Sequence, residues 1–459
     1  MENSDALHVV VLPYIGFSHL NPFLHLSKRL AALGHRVSFL SNPANIQTIA
    51  DAPCSTLSPL IHLVPLHNPA TAPADGDNLD TLRDPFANFL QGLSPPPDWI
   101  LFDSGYYWIP RIAAGLGVPC CYVNLVGAAA NVFMWPFFAL AADGEAARVT
   151  VERLTAPPDW IPLPTSMKLH RHEARQLQSV FFQPSMSGLT NGFRVGSSVR
   201  GSDLVAVGSC TEFEPEWLAA LPHLFAKPVL PLGHVAANAA DNNTITRGSN
   251  CDHVFEWLAR REAGSVVYVA FGSAVALSKE QAHEIARGLD LSGLPFLWAL
   301  RSPQGEPDGL LPEGFEEGTA GRGLVFKGWV PQIKILGHPS IGGFLTHCGW
   351  NSLVEAIQFG IVFVLLPWLN DQWFNSRLLA EKKVGMEVPR DEEDGSLNGA
   401  DIAKVLRLVM VDEEGEEYRA SARGLGAVLG NKEVHDRYVR NFVEYLKDNG
   451  RRAKPPTQA

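Results

Sequence analysis

The residues best suited to chemistry lie close together between Trp329 and Gln372. The centre of this stretch, residues 341–352, is typical of a short apolar strand, a glycine-bearing turn and the start of a helix. A helix start presents unpaired backbone N–H groups and the positive end of the helix dipole, which together bind phosphate. Ser352 and Glu355 fit the capping-box pattern, so we expect Ser352 at the N-cap with Glu355 reaching back to it.

Beyond this predicted helix, Asp371 and Gln372 add a carboxylate and an amide, which are suited to binding sugar hydroxyls. A glycine turn before a helix is by itself typical of any βαβ crossover. His347, Trp350 and Asn351 stand at the same helix start, and an ordinary crossover does not need these residue types. The stretch is therefore predicted to bind both a phosphate group and a sugar.

Over its whole length this stretch resembles the plant secondary-product glycosyltransferase box, the signature of plant UDP-dependent glycosyltransferases. The resemblance implies that the Trp329 ring stacks on uracil, and that Gln332 and the Val330 backbone seat the base and the ribose. It assigns the ribose hydroxyls to Glu355. The donor-binding residues implied in this way are Ser273, Trp329, Val330, Gln332, His347, Gly349, Trp350, Asn351, Ser352, Glu355, Asp371 and Gln372.

The diphosphate and the sugar are assigned by the same resemblance. His347 with Asn351 and Ser352 would bind the phosphates. Ser273 stands in a Gly-Ser turn after a predicted strand, and its contact with the diphosphate is implied by the family alone.

The sugar of the donor would meet Trp350, Asp371 and Gln372. In the family a terminal Gln, here Gln372, goes with glucose donors, although relatives with Gln also use rhamnose or xylose. UDP-glucose is therefore the expected donor, with UDP-rhamnose and UDP-xylose as alternatives.

Transfer of the sugar also requires a base for the acceptor proton. His19 follows the first predicted strand, where a doubly wound domain presents groups to its cleft, and histidine titrates near neutrality. Asp103 closes a later strand and stands before the aromatic residues 106–108. The resemblance places the family's catalytic His and its partner Asp at these positions, so His19 and Asp103 are the predicted catalytic pair.

Direct attack by the acceptor oxygen would invert the anomeric carbon, because no second carboxylate is identified as a nucleophile. The only Asp-x-Asp sequence, Asp75-Gly76-Asp77, lies in a Pro- and Asp-rich stretch that is typical of a loop. We therefore predict no metal site and no cofactor, with the UDP-sugar acting as a substrate. Backbone dipoles can stabilise the leaving charge instead.

The composition excludes several other classes of protein. A net charge of −11 argues against a nucleic-acid-binding protein, which needs a basic face. The six cysteines show no zinc spacing and are typical of reduced thiols in a cytosolic protein. No apolar run is long enough for a membrane span, and the N-terminal segment lacks the basic region of a signal peptide. We expect a cytoplasmic monomer.

Alternating strand and helix patterns predict an α/β chain of two doubly wound, Rossmann-like domains that face each other across a cleft, the GT-B fold. The first helix is predicted to begin at Asn21, with Pro22 in its first turn. The strands are predicted at 8–13, 37–41, 99–102, 118–125, 204–208, 229–232, 265–271, 295–301 and 324–326.

The predicted domain boundaries follow from composition. An acceptor-binding domain spans 1–232, and a small polar linker spans 233–252. A UDP-sugar-binding domain then spans 253–435. The resemblance implies that a helix within 436–459 returns to the first domain.

Three segments bear on the acceptor. Pro- and Trp-containing residues 157–162, the following His170-Arg171-His172-Glu173, and residues 435–438 resemble the branch-forming subgroup, which adds a sugar to a sugar. The acceptor is therefore predicted to be a terpenoid, steroid or flavonoid glycoside, with the free aglycone as the alternative. Side chains of 170–173 would bind the second sugar if they face the cleft, although a solvated helix start is an equal alternative. An aromatic set forms either an acceptor pocket or core: Phe133, Trp135, Phe137, Phe138 and Trp160.

Two other functions share parts of this pattern. A UDP-sugar 2-epimerase has the same two-domain architecture, and incubation of the UDP-sugar without an acceptor would distinguish it. A non-catalytic UDP-sugar-binding protein would keep the donor stretch but lose His19 or Asp103. Both residues are present, which favours a transferase.

Overall fold

The computed structural model describes residues 5–51, 57–67, 79–156, 158–161, 163–165, 167–185, 187–235, 251–272, 275–301 and 309–451. This part of the chain forms two parallel β-sheets with helices around them. The arrangement is the predicted α/β GT-B fold of two Rossmann-like domains.

The first sheet has the strand order β3-β2-β1-β4-β5-β6-β7. Helices cover both faces of a parallel sheet, so its strands are continuous apolar runs rather than alternating ones. The fully buried sequence HVVVL of β1 is an example. The strands are β1 (His8–Leu12), β2 (Arg36–Ser41), β3 (Ile61–Pro65), β4 (Trp99–Phe102), β5 (Cys120–Asn124), β6 (Leu204–Val207) and β7 (Val229–Pro231).

The second sheet has the order β10-β9-β8-β11-β12-β13. Its central strands β8 and β11 are paired in parallel, with a shift of register at Gly342 between Ile341 and Gly343. The strands are β8 (Val266–Ala270), β9 (Phe296–Leu300), β10 (Gly323–Lys327), β11 (Ile341–Thr346), β12 (Val362–Leu365) and β13 (Gly385–Glu387).

The helices connect these strands and cover the sheets. In the described ranges, no helix is both long and apolar enough to cross a membrane. The first nine are α1 (Phe17–Ala32), α2 (Pro43–Ala50), α3 (Arg83–Gln91), α4 (Ile109–Gly115), α5 (Ala128–Ala142), α6 (Val151–Thr155), α7 (Arg171–Phe182), α8 (Asn191–Gly201) and α9 (Pro215–Phe225). The others are α10 (Asp252–Leu258), α11 (Lys279–Ser292), α12 (Phe315–Gly318), α13 (Gln332–Leu336), α14 (Trp350–Ile357), α15 (Gln372–Glu381), α16 (Gly399–Met410), α17 (Glu416–Leu429) and α18 (Lys432–Asn449).

The last helix, α18, lies against the first domain. Phe442 and Leu446 are buried in the same apolar cluster as the first strand and the first helix. The Trp99 indole N–H donates to the Leu446 carbonyl at 2.8 Å, and Arg29 forms an ion pair with Asp436 at 2.7 Å. Because α18 begins at Lys432, the predicted boundary after residue 435 falls inside this helix.

Most of the predicted linker, residues 236–250, lies outside the described residues. The first sheet ends with β7 and the helix α10 begins at Asp252. The described elements β7 and α10 therefore flank the predicted linker, which stays a prediction.

Candidate functional site

The two sheets each reverse their strand order at one point, between β1 and β4 in the first and between β8 and β11 in the second. Ligands of open α/β sheets bind outside the carboxyl ends of the strands at such points. Here both points open onto one cavity of about 350 Å³ between the domains. Its lining contains His19 and the described members of the predicted donor set, which are Trp329, Val330, Gln332, His347, Gly349, Trp350, Asn351, Ser352, Glu355, Asp371 and Gln372.

His19 and Asp103 meet because their strands are neighbours. The Nδ1 atom of His19 lies 2.8 Å from Oδ2 of Asp103, and the two side chains are 29% and 2% exposed. Asp103 also accepts hydrogen bonds from the backbone N–H groups of Tyr14, at 3.0 Å, and Ser104, at 2.6 Å. The carboxylate is thus fixed by the main chain, and it holds the imidazole so that its other nitrogen, Nε2, is left for an acceptor.

The environment of His19 favours its protonated form. Burial lowers the pKa of His19, but attraction to Asp103 and the hydrogen bond to it, with a further contribution from Asp371, raise the pKa above its usual value. The imidazolium that forms when His19 accepts a proton is therefore stabilised in place.

The first helix begins earlier than the sequence predicted. Its N-cap is Gly16 and its first residue is Phe17, so the prediction of Asn21 as the N-cap is wrong. His19 consequently lies in the first helical turn rather than in a loop. The reason concerns Pro22. Proline is common in the first turn of a helix, so Pro22 was expected there, but in the structure it lies inside the helix.

Pro22 has a consequence for the contact between the domains. Proline has no N–H, so it cannot donate the helical hydrogen bond to the carbonyl four residues earlier. That carbonyl belongs to Ser18, and it accepts instead from Nδ2 of Asn351 in α14. Because Pro22 leaves the Ser18 carbonyl without a helical donor, this carbonyl can link the turn that carries His19 to the start of α14 in the second domain.

The helix α14 begins at Trp350 with Gly349 as its N-cap, so the predicted capping box of Ser352 and Glu355 is wrong. Ser352 lies in the first turn of the helix. The preceding Cys348 adopts a left-handed backbone with φ of 64°, which is strained for a side chain of this kind. The residues of this helix start, 349–352, line the cavity.

Ser352 and Glu355 both contact Gln332 instead. The amide Nε2 of Gln332 donates to Glu355 Oε2 at 2.8 Å and to Ser352 Oγ at 3.2 Å. Burial raises the pKa of Glu355 to about 7, although the hydrogen bond from Gln332 acts in the opposite direction. A carboxylate poised in this way can accept hydrogen bonds from two hydroxyls of a ligand.

An aromatic surface lies at the other end of the cavity. The guanidinium of Arg301 lies 3.9 Å from the centre of the Trp329 ring, and the centre of the Phe17 ring lies 6.1 Å from that of Trp329. Aromatic rings and arginine side chains can stack on a planar base. Val330 lines the cavity beside Trp329.

His347 lies between two glycines. A Cβ atom at either Gly272 or Gly349 would come within 2.4 Å of its Nε2 atom, so only glycine leaves room for the ring. Burial lowers the pKa of His347 to about 4, which keeps the ring neutral near pH 7. A neutral imidazole can donate one hydrogen bond to a diphosphate. Ser273, the next predicted phosphate contact along the chain from Gly272, lies outside the described residues.

The predicted sugar-binding residues Asp371 and Gln372 form the turn that leads into α15. Gln372 Oε1 accepts from the backbone N–H groups of Trp368 and Leu369, at 2.9 and 3.1 Å. Burial raises the pKa of Asp371, and Asn375 and His19 act against this shift. The turn is thus held by its own side chains in front of His19.

Trp350 serves the contact between the domains. Its indole N–H donates to the Gly208 carbonyl of the first domain at 2.8 Å, and the residue is only 5% exposed. A Cβ atom at Gly127 would lie 2.7 Å from the ring. Trp350 still lines the cavity, as predicted for a sugar contact, but its indole N–H is already bonded to Gly208.

Two further predictions concern the acceptor side. The Phe133 ring contacts Phe374 and Trp160 within the core, and the other members of the aromatic set, Trp135, Phe137 and Phe138, are buried as well. None of the five lines the donor cavity. Core packing therefore describes Phe133, Trp135, Phe137 and Phe138, whereas Trp160 is only half-buried.

The side chains of residues 170–173 contact residues outside the lining of the cavity. His170 caps α7, Glu173 pairs with Arg377, and His172 lies 3.2 Å from the Glu392 carbonyl. Glu173 is thus committed to a contact with the second domain, whereas Arg171 is exposed, and the sugar contacts of this segment stay a prediction.

Asn375 is a site residue that the sequence analysis missed. Its Nδ2 group donates to the Cys348 carbonyl at 3.0 Å and to Asp371 Oδ2 at 2.7 Å. It therefore links the turn at Cys348, before α14, to the turn at Asp371, before α15. Its position one helical turn after Asp371 is a signal that could have identified it.

The described residues include no group of three or more His, Cys, Asp or Glu side chains that could hold a metal ion. Asp75-Gly76-Asp77 lies outside the described residues. The polar residues that line the cavity include Gln332, His347, Ser352 and Gln372, together with the carboxyls of Glu355 and Asp371.

Comparison with known proteins places this site in a family. The family model described as UDP-glucoronosyl and UDP-glucosyl transferase matches residues 221–429. UDP-glycosyltransferase 91D2 of Stevia rebaudiana is 39% identical, over 98% of this chain and 97% of its own length. Soyasaponin III rhamnosyltransferase of Glycine max is 35% identical, over 97% of this chain and 96% of its own length.

A solved structure agrees with this relationship. Phytolacca americana UGT2, complexed with UDP-2fluoro-glucose and pterostilbene, has a TM-score of 0.77 and 26% identity to this chain. The match covers 97% of this chain and 100% of that one. Since relatives more than 30% identical match nearly the whole length, this chain belongs to the family of plant UDP-glycosyltransferases.

Proposed function

We propose that this enzyme transfers glucose from UDP-glucose to a hydroxyl of a small plant secondary metabolite, with inversion and without a metal ion. The acceptor hydroxyl belongs to a sugar that the metabolite already carries. The observation that supports this most is the position of the His19–Asp103 pair, because His19 lines the same cavity as the predicted donor residues. The base and the donor site thus share one space.

In the proposed reaction, Nε2 of His19 takes the proton of the acceptor hydroxyl as that oxygen attacks the anomeric carbon. A new C–O bond forms, and the bond from the anomeric carbon to the diphosphate breaks. The bonding electrons leave with UDP. Asp103 holds Nδ1–H of His19 and stabilises the imidazolium. A single displacement converts an α-linked donor into a β-linked product.

The leaving diphosphate meets the N-terminus of α14. The first N–H groups of a helix lack intrahelical partners and bind anions. Asn351 and Ser352 belong to this turn, and neutral His347 adds one donor. Preorganised dipoles of this kind stabilise developing charge, so we propose that no divalent ion is needed.

Glucose is proposed as the donor sugar because Gln372 ends the donor stretch. UDP-rhamnose is the main alternative, since one relative is named a rhamnosyltransferase; UDP-xylose is another. A glycoside acceptor is supported by the same relative, whose name gives a saponin as its acceptor, and saponins are glycosides.

The test is a panel of matched acceptors and donors. Each aglycone of the flavonoid, diterpene and steroid classes is paired with its monoglucoside and offered UDP-glucose, UDP-rhamnose or UDP-xylose in the presence of EDTA. We expect higher kcat/KM for monoglucosides with UDP-glucose, and a β-linkage in the product by NMR. Free aglycones as consistently better acceptors would contradict the acceptor proposal, and rescue of activity only by added Mg²⁺ or Mn²⁺ would contradict the metal-free proposal.

Glu355 is proposed to accept the ribose hydroxyls in its ionised form. Because its pKa in the free protein is about 7, ligand binding that favours the carboxylate must lower this pKa. Uridine affinity should therefore rise with pH up to about 7 and stay level above it. Uridine is the probe because it carries no titrating phosphate.

The control is Glu355→Gln, which should remove the pH dependence and weaken uridine binding roughly 10- to 150-fold at pH 8, since hydrogen bonds to charged groups are worth roughly 1.5–3 kcal/mol. Calorimetry from pH 5.5 to 8.5 measures both effects. A wild-type affinity that does not change with pH would show that Glu355 does not titrate in this way.

We also propose that the enzyme works in the cytoplasm as a monomer. The five cysteines that the structure describes are free thiols, which supports a reducing compartment.

A further inference from the structure

The helix α7 of the first domain is bound to the helix α15 of the second domain by a buried ion pair. Both carboxylate oxygens of Glu173 accept from Nη2 of Arg377, at 2.6 and 2.8 Å, and the two side chains are 3% and 9% exposed. Since α15 begins at Gln372, this pair fixes α7 beside the turn proposed to bind the donor sugar.

Gln176, three residues after Glu173, reaches that turn directly. Its side-chain oxygen Oε1 accepts from the backbone N–H of Asn370 at 3.1 Å and from the indole N–H of Trp373 at 3.4 Å. The two donors lie on either side of Asp371 and Gln372 in the sequence. One amide oxygen of the first domain therefore holds both ends of the sugar-binding turn.

The backbone at Asn370 is left-handed, with a φ of 58°. Asparagine tolerates this conformation better than most residues with a side chain, but less readily than glycine. Such a conformation persists when surrounding contacts fix it, and the hydrogen bond to Gln176 is such a contact. If the acceptor is removed, the N–H of Asn370 loses its partner and the turn can relax. Asp371 and Gln372 would then move away from the donor sugar.

We propose that Gln176 is a positioning residue through which the acceptor-binding domain sets the geometry of the donor-sugar subsite. This inference rests on the proposed function, because it assumes that Asp371 and Gln372 bind the sugar of the donor. Gln176 does not line the cavity, so its effect on the sugar passes through the turn. The proposed uridine contacts, Trp329, Gln332 and Glu355, lie on other elements.

The experiment compares Gln176→Met with Gln176→Glu. Methionine has a similar length but only a weakly accepting sulfur, whereas glutamate keeps an oxygen acceptor for both N–H groups. Thr165→Val is the matched control, because the Thr165 hydroxyl also bonds across the domains, at 3.1 Å to Glu381, but far from the sugar-binding turn. Calorimetry gives Kd for UDP and for UDP-glucose with each variant, and kinetics with the best acceptor gives kcat and KM.

For Gln176→Met we expect Kd and KM for UDP-glucose to rise about 3- to 10-fold, the range predicted for loss of the shorter hydrogen bond, to the Asn370 N–H, with Kd for UDP unchanged. Gln176→Glu and Thr165→Val should resemble the wild type. Equal weakening of UDP and UDP-glucose, unchanged values for Gln176→Met, or the same loss in Thr165→Val would each overturn the inference. Failure of the proposed function is distinct, because wild-type protein would then not transfer glucose at all.

Discussion

The His19→Ala variant is expected to lose on the order of 10²- to 10⁴-fold in kcat, the usual contribution of a positioned general base. The reason is that alanine removes the only nitrogen that we propose takes the acceptor proton, while Asp103 is buried and already bound by two backbone N–H groups. UDP affinity should be unchanged, because the donor contacts lie on the second domain. Steady-state kinetics with calorimetry of UDP measures both.

The exposed His62 in β3 provides the matched control, since His62→Ala removes a histidine of the same domain far from the cavity. This control should keep wild-type kcat. A His19→Ala enzyme with near-normal turnover on its preferred acceptor would remove His19 from the mechanism.

The Asp103→Asn variant is expected to have the second-largest effect, again on the order of 10²- to 10⁴-fold, since loss of the orienting carboxylate in Ser-His-Asp sites costs roughly 10⁴-fold. An asparagine has one acceptor oxygen where Asp103 has two, and both oxygens are used. Its NH₂ group must therefore face either Nδ1 of His19 and the N–H of Tyr14, or the N–H of Ser104. The imidazole loses its fixed tautomer or its supporting charge.

The pH profile distinguishes this role from a general loss of structure. His19 acts as a base only when neutral, so the rate rises with pH through the pKa of His19. Asp103 raises that pKa, and removal of its charge must lower it. The acidic limb of the kcat/KM profile should therefore move to lower pH in Asp103→Asn. A limb that stays in place, with a wild-type rate, would contradict the pairing of His19 with Asp103.

The donor side of the site was largely predictable from the sequence because its chemistry is local. A strand, a turn and a helix start within a few residues define a phosphate site, and the alternation of strands and helices defines the class of fold. The predicted strands were found with shifts of one or two residues at their ends. The third strand, Ile61–Pro65, was missed because it is short and partly exposed at the edge of its sheet.

The helix starts were less predictable, since capping chemistry competes with tertiary contacts. Ser352 and Glu355 have the right spacing to cap a helix, but Gln332 lies 20 and 23 residues away in sequence and binds both. Likewise, Pro22 looked like a first-turn residue. In the structure Pro22 lies inside α1. Because proline has no N–H, the Ser18 carbonyl accepts a hydrogen bond from Asn351 instead.

The sequence by itself determined the fold class, the donor stretch and the residue types of the catalytic pair, because each depends on short-range pattern or on family resemblance. Only the tertiary structure decided which distant groups meet. His19 and Asp103 are 84 residues apart and come together because β1 and β4 are neighbours at the switch point. Glu173 and Arg377 are 204 residues apart, and their pairing commits Glu173 to a contact between the domains. Contacts between residues so far apart in sequence depend on the order of the strands and on the packing of the domains. A local sequence pattern carries no information about either.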